Sequence, residues 1–348
     1  MDYTLCTGCY TGKDGGTGVG LWTLDAETGT LAKRGEYPCD NPSFLAVTDQ
    51  CIYAVSERPE SGAVTAFRRE PDGTLSYLNR VDTMGGDMCH VTVWPDGKHL
   101  SAANYRSGSL LVRTLNPDGS VGGETAFVQH SGVGFDSADR QEGPHVHATL
   151  LSPDGMRLYA SDLGLDWLSV YDIGPDGTLT EAEERAQIRT PDGMGPRHFR
   201  FTERGKYLYL VAELGSKLLV YASPDGGKSY AQIQSVPTLP PEFTDFNLAA
   251  DLHFSPDGRF LYISNRGHDS IARFAVDPAT GEAEPQGHFP SGGRWPRNFC
   301  LTPDGRWLIA ANQYSGTLCA YPRDKETGAL GKLACRAEAK QVTFVKAF

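Results

Sequence analysis

The sequence predicts an all-β protein, a seven-bladed propeller of four-stranded blades that occupies residues 1–348 as one domain. Three observations predict it: a turn signal that recurs about every 50 residues, a second turn signal interleaved with the first, and short β-type runs between them. The first signal is a turn that leads into an apolar run. It reads Pro95–Asp96–Gly97 with His99–Leu100, Pro153–Asp154–Gly155 with Leu158–Tyr159, Pro256–Asp257–Gly258 with Leu261–Tyr262, and Pro303–Asp304–Gly305 with Leu308–Ile309. Thr48–Asp49–Gln50 with Ile52–Tyr53 and Thr202–Glu203–Arg204–Gly205 with Leu208–Tyr209 are degenerate copies. The second signal has seven copies: Ala26–Glu27–Thr28–Gly29, Pro71–Asp72–Gly73, Pro117–Asp118–Gly119, Pro175–Asp176–Gly177, Pro224–Asp225–Gly226, Pro278–Ala279–Thr280–Gly281 and Lys325–Glu326–Thr327–Gly328. Pro presets the first turn torsion and Gly takes the positive φ that closes the turn.

Between the turns the runs are short, β-branched or aromatic, and partly alternating, as in Phe44–Val47, Ala63–Phe67, Leu168–Tyr171, Lys217–Tyr221 and Ser270–Phe274. These are strands, about four to a unit, in an up-and-down meander. Units of this length stack radially, and each packs only on its neighbours, so a chain this long needs no split into separate cores. The chain begins, at Tyr3–Cys6, in register with the second strand of a unit. The missing first strand is Val342–Lys346, so the C-terminal strand should join the first blade and close the ring. Two inserts, 130–142 and 237–250, enter first strands from one face.

Composition bounds the function. With Lys+Arg 32 against Asp+Glu 43, the net charge of −11 argues against nucleic acid as a partner. A few clustered Arg can still attract a small anion. No apolar run approaches the roughly 18 residues of a membrane span, so no membrane is expected. Met1–Asp2–Tyr3–Thr4 is not a signal peptide, and the expected location is the cytoplasm, with the eight Cys as reduced thiols. Cys6-x-x-Cys9 has no partner pair at metal-ligand spacing.

In a meander, the loop entering strand one and the exit of strand two lie on the same side. In a propeller, strand one lines the axis. Two residue sets should therefore gather at one axial mouth. The entry set is Asp40–Asn41, Cys89–His90, His145 and His147, Arg197–His198, Asp251 with His253, and Arg297–Asn298. The exit set is Glu57, Asn104, Asp162, Glu213, Asn265–Arg266 and Asn312–Gln313. Asp and Asn at strand ends also cap turns, which gives any single exit residue a plain structural reading. Turn capping does not call for Arg and His, and a group of them beside carboxylates is a site hypothesis. No Gly-x-Ser-x-Gly elbow supplies a hydroxyl nucleophile, and no His-rich spacing suggests a catalytic metal, so none is expected, although Asp, His and Glu converging at a propeller axis could bind a divalent ion. Arg197, Arg266, Arg294 and Arg297 can hold phosphate or carboxylate bidentately. Glu213 and His147 can move a proton or orient a water, and Arg can stabilise an oxyanion. Hydrolysis of an activated ring ester needs no more.

These residues sit in runs that resemble the seven-bladed propeller family of 6-phosphogluconolactonases, which also includes the fungal carboxy-muconate lactonising enzyme. The resemblance runs nearly end to end. Its carriers are Gly143-Pro144-His145-Val146-His147, Ser161-Asp162-Leu163-Gly164-Leu165-Asp166, Gly195-Pro196-Arg197-His198, Ala212-Glu213-Leu214, Ile263 to Ile271, Gly292 to Phe299, and Ala311-Asn312-Gln313. The entry and exit sets make His145, His198, Asp162, Asn265, Arg297 and Asn312 the expected substrate-binding residues, and the resemblance implies catalytic roles for His147, Arg197, Glu213 and Arg266. It further implies no cofactor, a small anionic sugar lactone as partner, and hydrolysis of 6-phospho-D-glucono-1,5-lactone to 6-phosphogluconate in the pentose phosphate pathway. A muconate cycloisomerase and a non-catalytic binding scaffold are the alternatives. A monomer and a dimer both fit the sequence.

Overall fold

A computed structural model describes residues 2–136 and 140–348, so part of the insert at 130–142 lies outside the described residues. The strands form seven antiparallel sheets, each an up-and-down meander. The first contains Val342–Ala347, Tyr3–Cys9, Gly18–Leu24 and Leu31–Pro38; the second contains Leu45–Val47, Cys51–Ser56, Gly62–Arg69 and Leu75–Thr83. The third contains Met88–Val93, His99–Asn104, Ser109–Leu115 and Val121–Gln129; the fourth contains Val146–Leu151, Arg157–Asp162, Trp167–Ile173 and Leu179–Glu181. Pro196–Phe201, Tyr207–Ala212, Lys217–Ala222 and Ala231–Pro237 make the fifth, and Leu248–Phe254, Phe260–Arg266, Ser270–Val276 and Ala283–Pro290 the sixth. Pro296–Leu301, Trp307–Asn312, Thr317–Pro322 and Cys335–Glu338 make the seventh. These are the seven blades that the turn signals predict. The C-terminal strand lies antiparallel to Tyr3–Cys9, with Leu5 opposite Ala347 and Gly8 opposite Phe344, so the two ends of the chain share a blade.

One blade departs from the pattern. The outer strand of the fourth sheet breaks after Glu181 into a single helical turn, Glu184–Ala186, and resumes as Ile188–Arg189. Gln187 fills the gap. Its side chain accepts from the Val170 N–H at 2.9 Å and donates to the Val170 carbonyl at 3.0 Å, which replaces the missing ladder bonds.

The chain divides into two compact units, Met1–Pro42 with Glu213–Val220 and Ile233–Phe348, and Ser43–Ala212 with Tyr221–Gln232. The first unit holds the first, sixth and seventh sheets, and the second unit holds the second, third and fourth. In the first unit Leu5, Trp22, Trp307, Ile309 and Val345 share one buried cluster, and Tyr262, Phe299 and Leu308 share another. In the second unit Tyr53, Val64, Leu100 and Leu111 pack together, as do Leu110, Val146, Leu158 and Tyr171.

The two turn signals meet between consecutive blades. The second-strand aromatic of one blade donates its polar tip to the second turn of the next: Tyr53 Oη to the Gly119 carbonyl at 2.9 Å, Tyr262 Oη to Gly328 at 2.6 Å, and Trp307 Nε1 to Ala26 at 3.1 Å. Each aromatic buries its ring and satisfies its one polar atom in a single contact. Gly328 shows why Gly ends this turn. It has φ +70°, and a Cβ there would collide with the ring of Phe260 in the preceding blade.

In the first turn signal the Asp side chain closes the turn. Asp304 accepts from the Thr302 hydroxyl at 2.8 Å, the Arg306 N–H at 3.2 Å and Arg306 Nε at 2.6 Å. Burial alone would raise its carboxyl, but these bonds outweigh burial and hold it at about 2. A carboxyl depressed in the folded state stabilises fully above its unfolded value near 4, and that contribution fades as pH falls toward 2. Asp304→Asn should therefore flatten the loss of thermal stability between about pH 4 and pH 2 relative to the unsubstituted protein, read as melting temperature against pH. An unchanged slope would show that this turn does not contribute to the acid limb.

No helix among the described residues is long and apolar enough to cross a membrane. None of the eight Cys is in a disulfide.

Candidate active site

The first strand of most blades carries a β-bulge at one place, and the candidate residues occupy it. In the fourth sheet Val146 faces Asp162 and Ala148 faces Ser161, which leaves His147 as the extra residue. In the fifth, Pro196 faces Ala212 and Phe199 faces Leu210, so the irregularity spans Arg197–His198. In the sixth it spans Ala250–Asp251, in the seventh it falls on Arg297, and in the third on Cys89. A bulge breaks the strict alternation of side chains and re-aims the extra one, a device common beside active sites.

Within the second unit the bulges bring imidazoles together. His147 and His198 lie with ring centroids 5.4 Å apart, and His90 and His198 at 5.5 Å. Phe44 packs against His90 at 4.3 Å and His198 at 5.7 Å. Arg197 Nη1 lies 3.2 Å from both ring nitrogens of His198. Arg197, His198 and His147 are nearly inaccessible, at 2%, 2% and 4%. Side chains of this polarity are seldom so buried without a built-in reason. The bulge backbone is held as well: Ser161 donates to the Arg197 carbonyl at 2.5 Å, and the Cys89 thiol donates to the His147 carbonyl at 3.3 Å.

His145 joins this group through Tyr105, on which it stacks at 4.4 Å, while Tyr105 meets His147 edge-on at 5.5 Å. His145 also bonds the Tyr105 carbonyl at 3.0 Å and Glu142 at 3.1 Å. The Glu142 carboxyl is held below its ordinary value, first by its own backbone N–H and then by His145.

Three of the strand-two exit residues, Asp162, Asn265 and Asn312, bond backbone groups of neighbouring loops. Asp162 accepts from the His145 N–H at 2.7 Å and pairs with His130 Nδ1 at 2.6 Å, and His130 Nε2 lies 2.8 Å from Tyr171 Oη. Burial pushes the Tyr171 phenol up to about 12. Asn265 donates to the Thr238 carbonyl at 2.8 Å, and Asn312 to the Ser291 carbonyl at 3.1 Å. Each ties the exit of a second strand to the residue that follows the outer strand of the preceding blade. Asp166 does a related job one blade on. At φ 56°, it accepts from the N–H groups of Gly193 and Gly195, both at 2.7 Å, and so fixes the loop that delivers Arg197.

Within the first unit the central feature is an ion pair. Glu213 Oε2 lies 3.1 Å from Arg266 Nη2, with both side chains almost fully buried. Arg266 also donates to the carbonyls of Leu248 at 3.3 Å and Ala249 at 3.1 Å, and the Ala249 N–H donates to the Glu213 carbonyl at 3.2 Å. The guanidinium is thus fixed from three directions, which a buried charge requires. The sixth-sheet bulge places Asp251 against His253 at 2.8 Å and against Asn298 Nδ2, while Asn298 Oδ1 accepts from Val345 N–H at 2.8 Å. Arg297 lies over the Tyr10 ring at 5.4 Å. The pair can hold an acid–base carboxylate in place, and Arg266 can face developing negative charge.

Tyr105, Phe44 and Trp295 escape the sequence reading. Tyr105 directly follows the exit residue Asn104, one position past the register. Trp295 sits inside a recognised run and lies 5.6 Å from the Arg266 guanidinium. Among the described residues, no group of three or more His, Cys, Asp or Glu is arranged to hold a metal ion.

A model of the lactonase, 7-bladed β-propeller family matches residues 4–347. The chain is 34% identical over 332 residues to a 6-phosphogluconolactonase of Bacillus subtilis, covering 94% of this chain and 93% of the relative. It is 32% identical over 338 residues to a 6-phosphogluconolactonase of Formosa agariphila, covering 94% and 95%. Among solved structures, the periplasmic gluconolactonase PpgL of Pseudomonas aeruginosa superposes with a TM-score of 0.92 at 32% identity, covering 100% of this chain and 99% of that one.

Proposed function

Because the chain belongs to the seven-bladed β-propeller lactonase family, we propose that it hydrolyses a sugar lactone, namely 6-phospho-D-glucono-1,5-lactone to 6-phosphogluconate, as in the pentose phosphate pathway. The observation that carries this reading is the buried Glu213–Arg266 pair at 3.1 Å. Opening a lactone requires water to attack the carbonyl carbon, an oxyanion to form, the ring C–O bond to break, and a proton to reach the departing ring oxygen. The product acid then ionises to the aldonate. Glu213 and His147 are the groups that can take the proton of the attacking water and return it to the ring oxygen. Arg266 stabilises the oxyanion, and Arg197 holds the anionic end of the substrate. The bonds that Asp162, Asn265 and Asn312 make to the preceding blade give them a supporting part in this scheme, and His145, His198 and Arg297 are taken as substrate-binding residues. We place the reaction in the cytoplasm, where thiols persist reduced, and none of the eight Cys is in a disulfide.

Steady-state rates on 6-phospho-D-glucono-1,5-lactone and on unphosphorylated D-glucono-1,5-lactone test the proposal. The phosphorylated lactone should have the higher kcat/KM, and Arg197→Ala should remove most of that difference. Equal kcat/KM for the two would reject the phosphate, and no hydrolysis of either would reject the lactonase reading.

A further inference from the structure

Beside the ion pair, Phe246, Trp295 and Tyr314 form a staircase of near-parallel rings. Phe246 and Trp295 are 6.4 Å apart at 14°, and Trp295 and Tyr314 are 4.7 Å apart at 17°. Both centroid separations exceed the roughly 3.5–4 Å of face contact, so the rings are offset and each leaves part of a face uncovered. The outer two are open to solvent, with Phe246 69% and Tyr314 53% exposed.

The staircase is held rigidly, at a cost. Trp295 has φ 65°, a conformation that a bulky side chain rarely adopts. The Asp269 carboxylate fixes it by accepting the Trp295 N–H at 2.7 Å, and the Gln313 N–H donates to the Trp295 carbonyl at 2.9 Å. Phe246 is pinned by Gly267, where any Cβ would collide with the Phe246 carbonyl. Strained backbone of this kind concentrates at ligand clamps. Its inner ring, Trp295, adjoins the Arg266 that the lactonase reading places at the oxyanion.

We propose that Phe246, Trp295 and Tyr314 are a stacking surface for carbohydrate, and that the enzyme accepts aldonolactones that carry a second sugar ring. The proposal rests on the lactonase reading. The C–H faces of a pyranose pack on aromatic rings, and one lactone ring bound against Trp295 next to Arg266 leaves Phe246 and Tyr314 without a ligand. A second ring gives those exposed apolar rings an occupant.

The test compares D-glucono-1,5-lactone with lactobiono-1,5-lactone as substrates, and gluconate with lactobionate as ligands read by tryptophan fluorescence. Phe246→Ala and Tyr314→Ala should raise KM for the two-ring lactone and Kd for lactobionate roughly threefold to tenfold, and change the one-ring values less than about twofold. Trp295→Gly should weaken both ligands while the melting temperature stays level or rises, because Gly relieves the strained φ. Equal effects of Phe246→Ala and Tyr314→Ala on one-ring and two-ring ligands would overturn the proposal, as would failure of lactobionate to bind or a marked loss of stability in Trp295→Gly. If no lactone is hydrolysed but lactobionate binds and Phe246→Ala weakens it, the stacking surface stands and the lactonase reading falls.

Discussion

Glu213→Gln is expected to lower kcat/KM for lactone hydrolysis well over tenfold. Gln has nearly the same shape and keeps an oxygen that can accept from Arg266 Nη2, so the geometry of the pair survives. It cannot take a proton from water, and a positioned acid–base group typically contributes about 10²–10⁴-fold. From the sequence alone, thermal stability is expected to stay nearly intact in this variant. The structure adds a cost, because the Arg266 charge stays buried and loses its counter-charge. Its bonds to the Leu248 and Ala249 carbonyls soften the loss, so about 1–3 kcal/mol is expected from urea denaturation. The pH profile assigns the base. If Glu213 is the base, the acid-side fall in kcat/KM of the unsubstituted enzyme should be missing from the residual activity of Glu213→Gln, and if His147 is, it should be missing from that of His147→Gln. A Glu213→Gln enzyme with activity near that of the unsubstituted protein would remove Glu213 from the mechanism.

The fold is legible in the sequence because its signals are local. A Pro-Asp-Gly turn states its own torsions, and seven second turns against six first turns already imply that the chain starts one strand late. The pairing of Leu5 with Ala347 is the observed consequence. The break in the fourth sheet is not legible, since it depends on Gln187 reaching Val170 across a gap that the sequence does not show. The site was legible as residue types at loop ends, and less so as roles. Asp162, Asn265 and Asn312 carry groups that suit a substrate and a turn equally, and their backbone partners lie in loops that the sequence does not place beside them. The bulges at His147 and Arg197–His198 leave no mark on composition, because one additional residue in a six-residue strand hardly alters an alternation that was already partial. Trp295 is hidden for a different reason: nothing in a Trp announces a positive φ, and the Asp269 that enforces it lies in the preceding blade.

Removing residues 342–348 should abolish folding of the first blade and leave little folded protein. Val342, Phe344 and Val345 are 1%, 5% and 1% exposed. At about 1.5–3 kcal/mol for each buried side chain, their loss alone comes to roughly 5–9 kcal/mol. Typical total stability is about 5–15 kcal/mol, so even without the backbone term the deficit is of the same size as the whole. The backbone term adds to it, because Tyr3–Cys9 loses its ladder partner and becomes an open edge that invites aggregation. The effect should also reach the seventh sheet, where Asn298 loses the Val345 N–H from its side-chain oxygen while it still carries Asp251. Val345→Ala, by contrast, should cost only about 2 kcal/mol and leave the fold intact. Adding a peptide of residues 342–348 to the truncated chain separates pairing from length: recovery of far-ultraviolet circular dichroism and of a cooperative melt is expected if the strand acts by completing the blade. A truncated chain that melts within a few degrees of the full one would mean that the first blade stands on three strands, and that the pairing of the two ends contributes little to the fold.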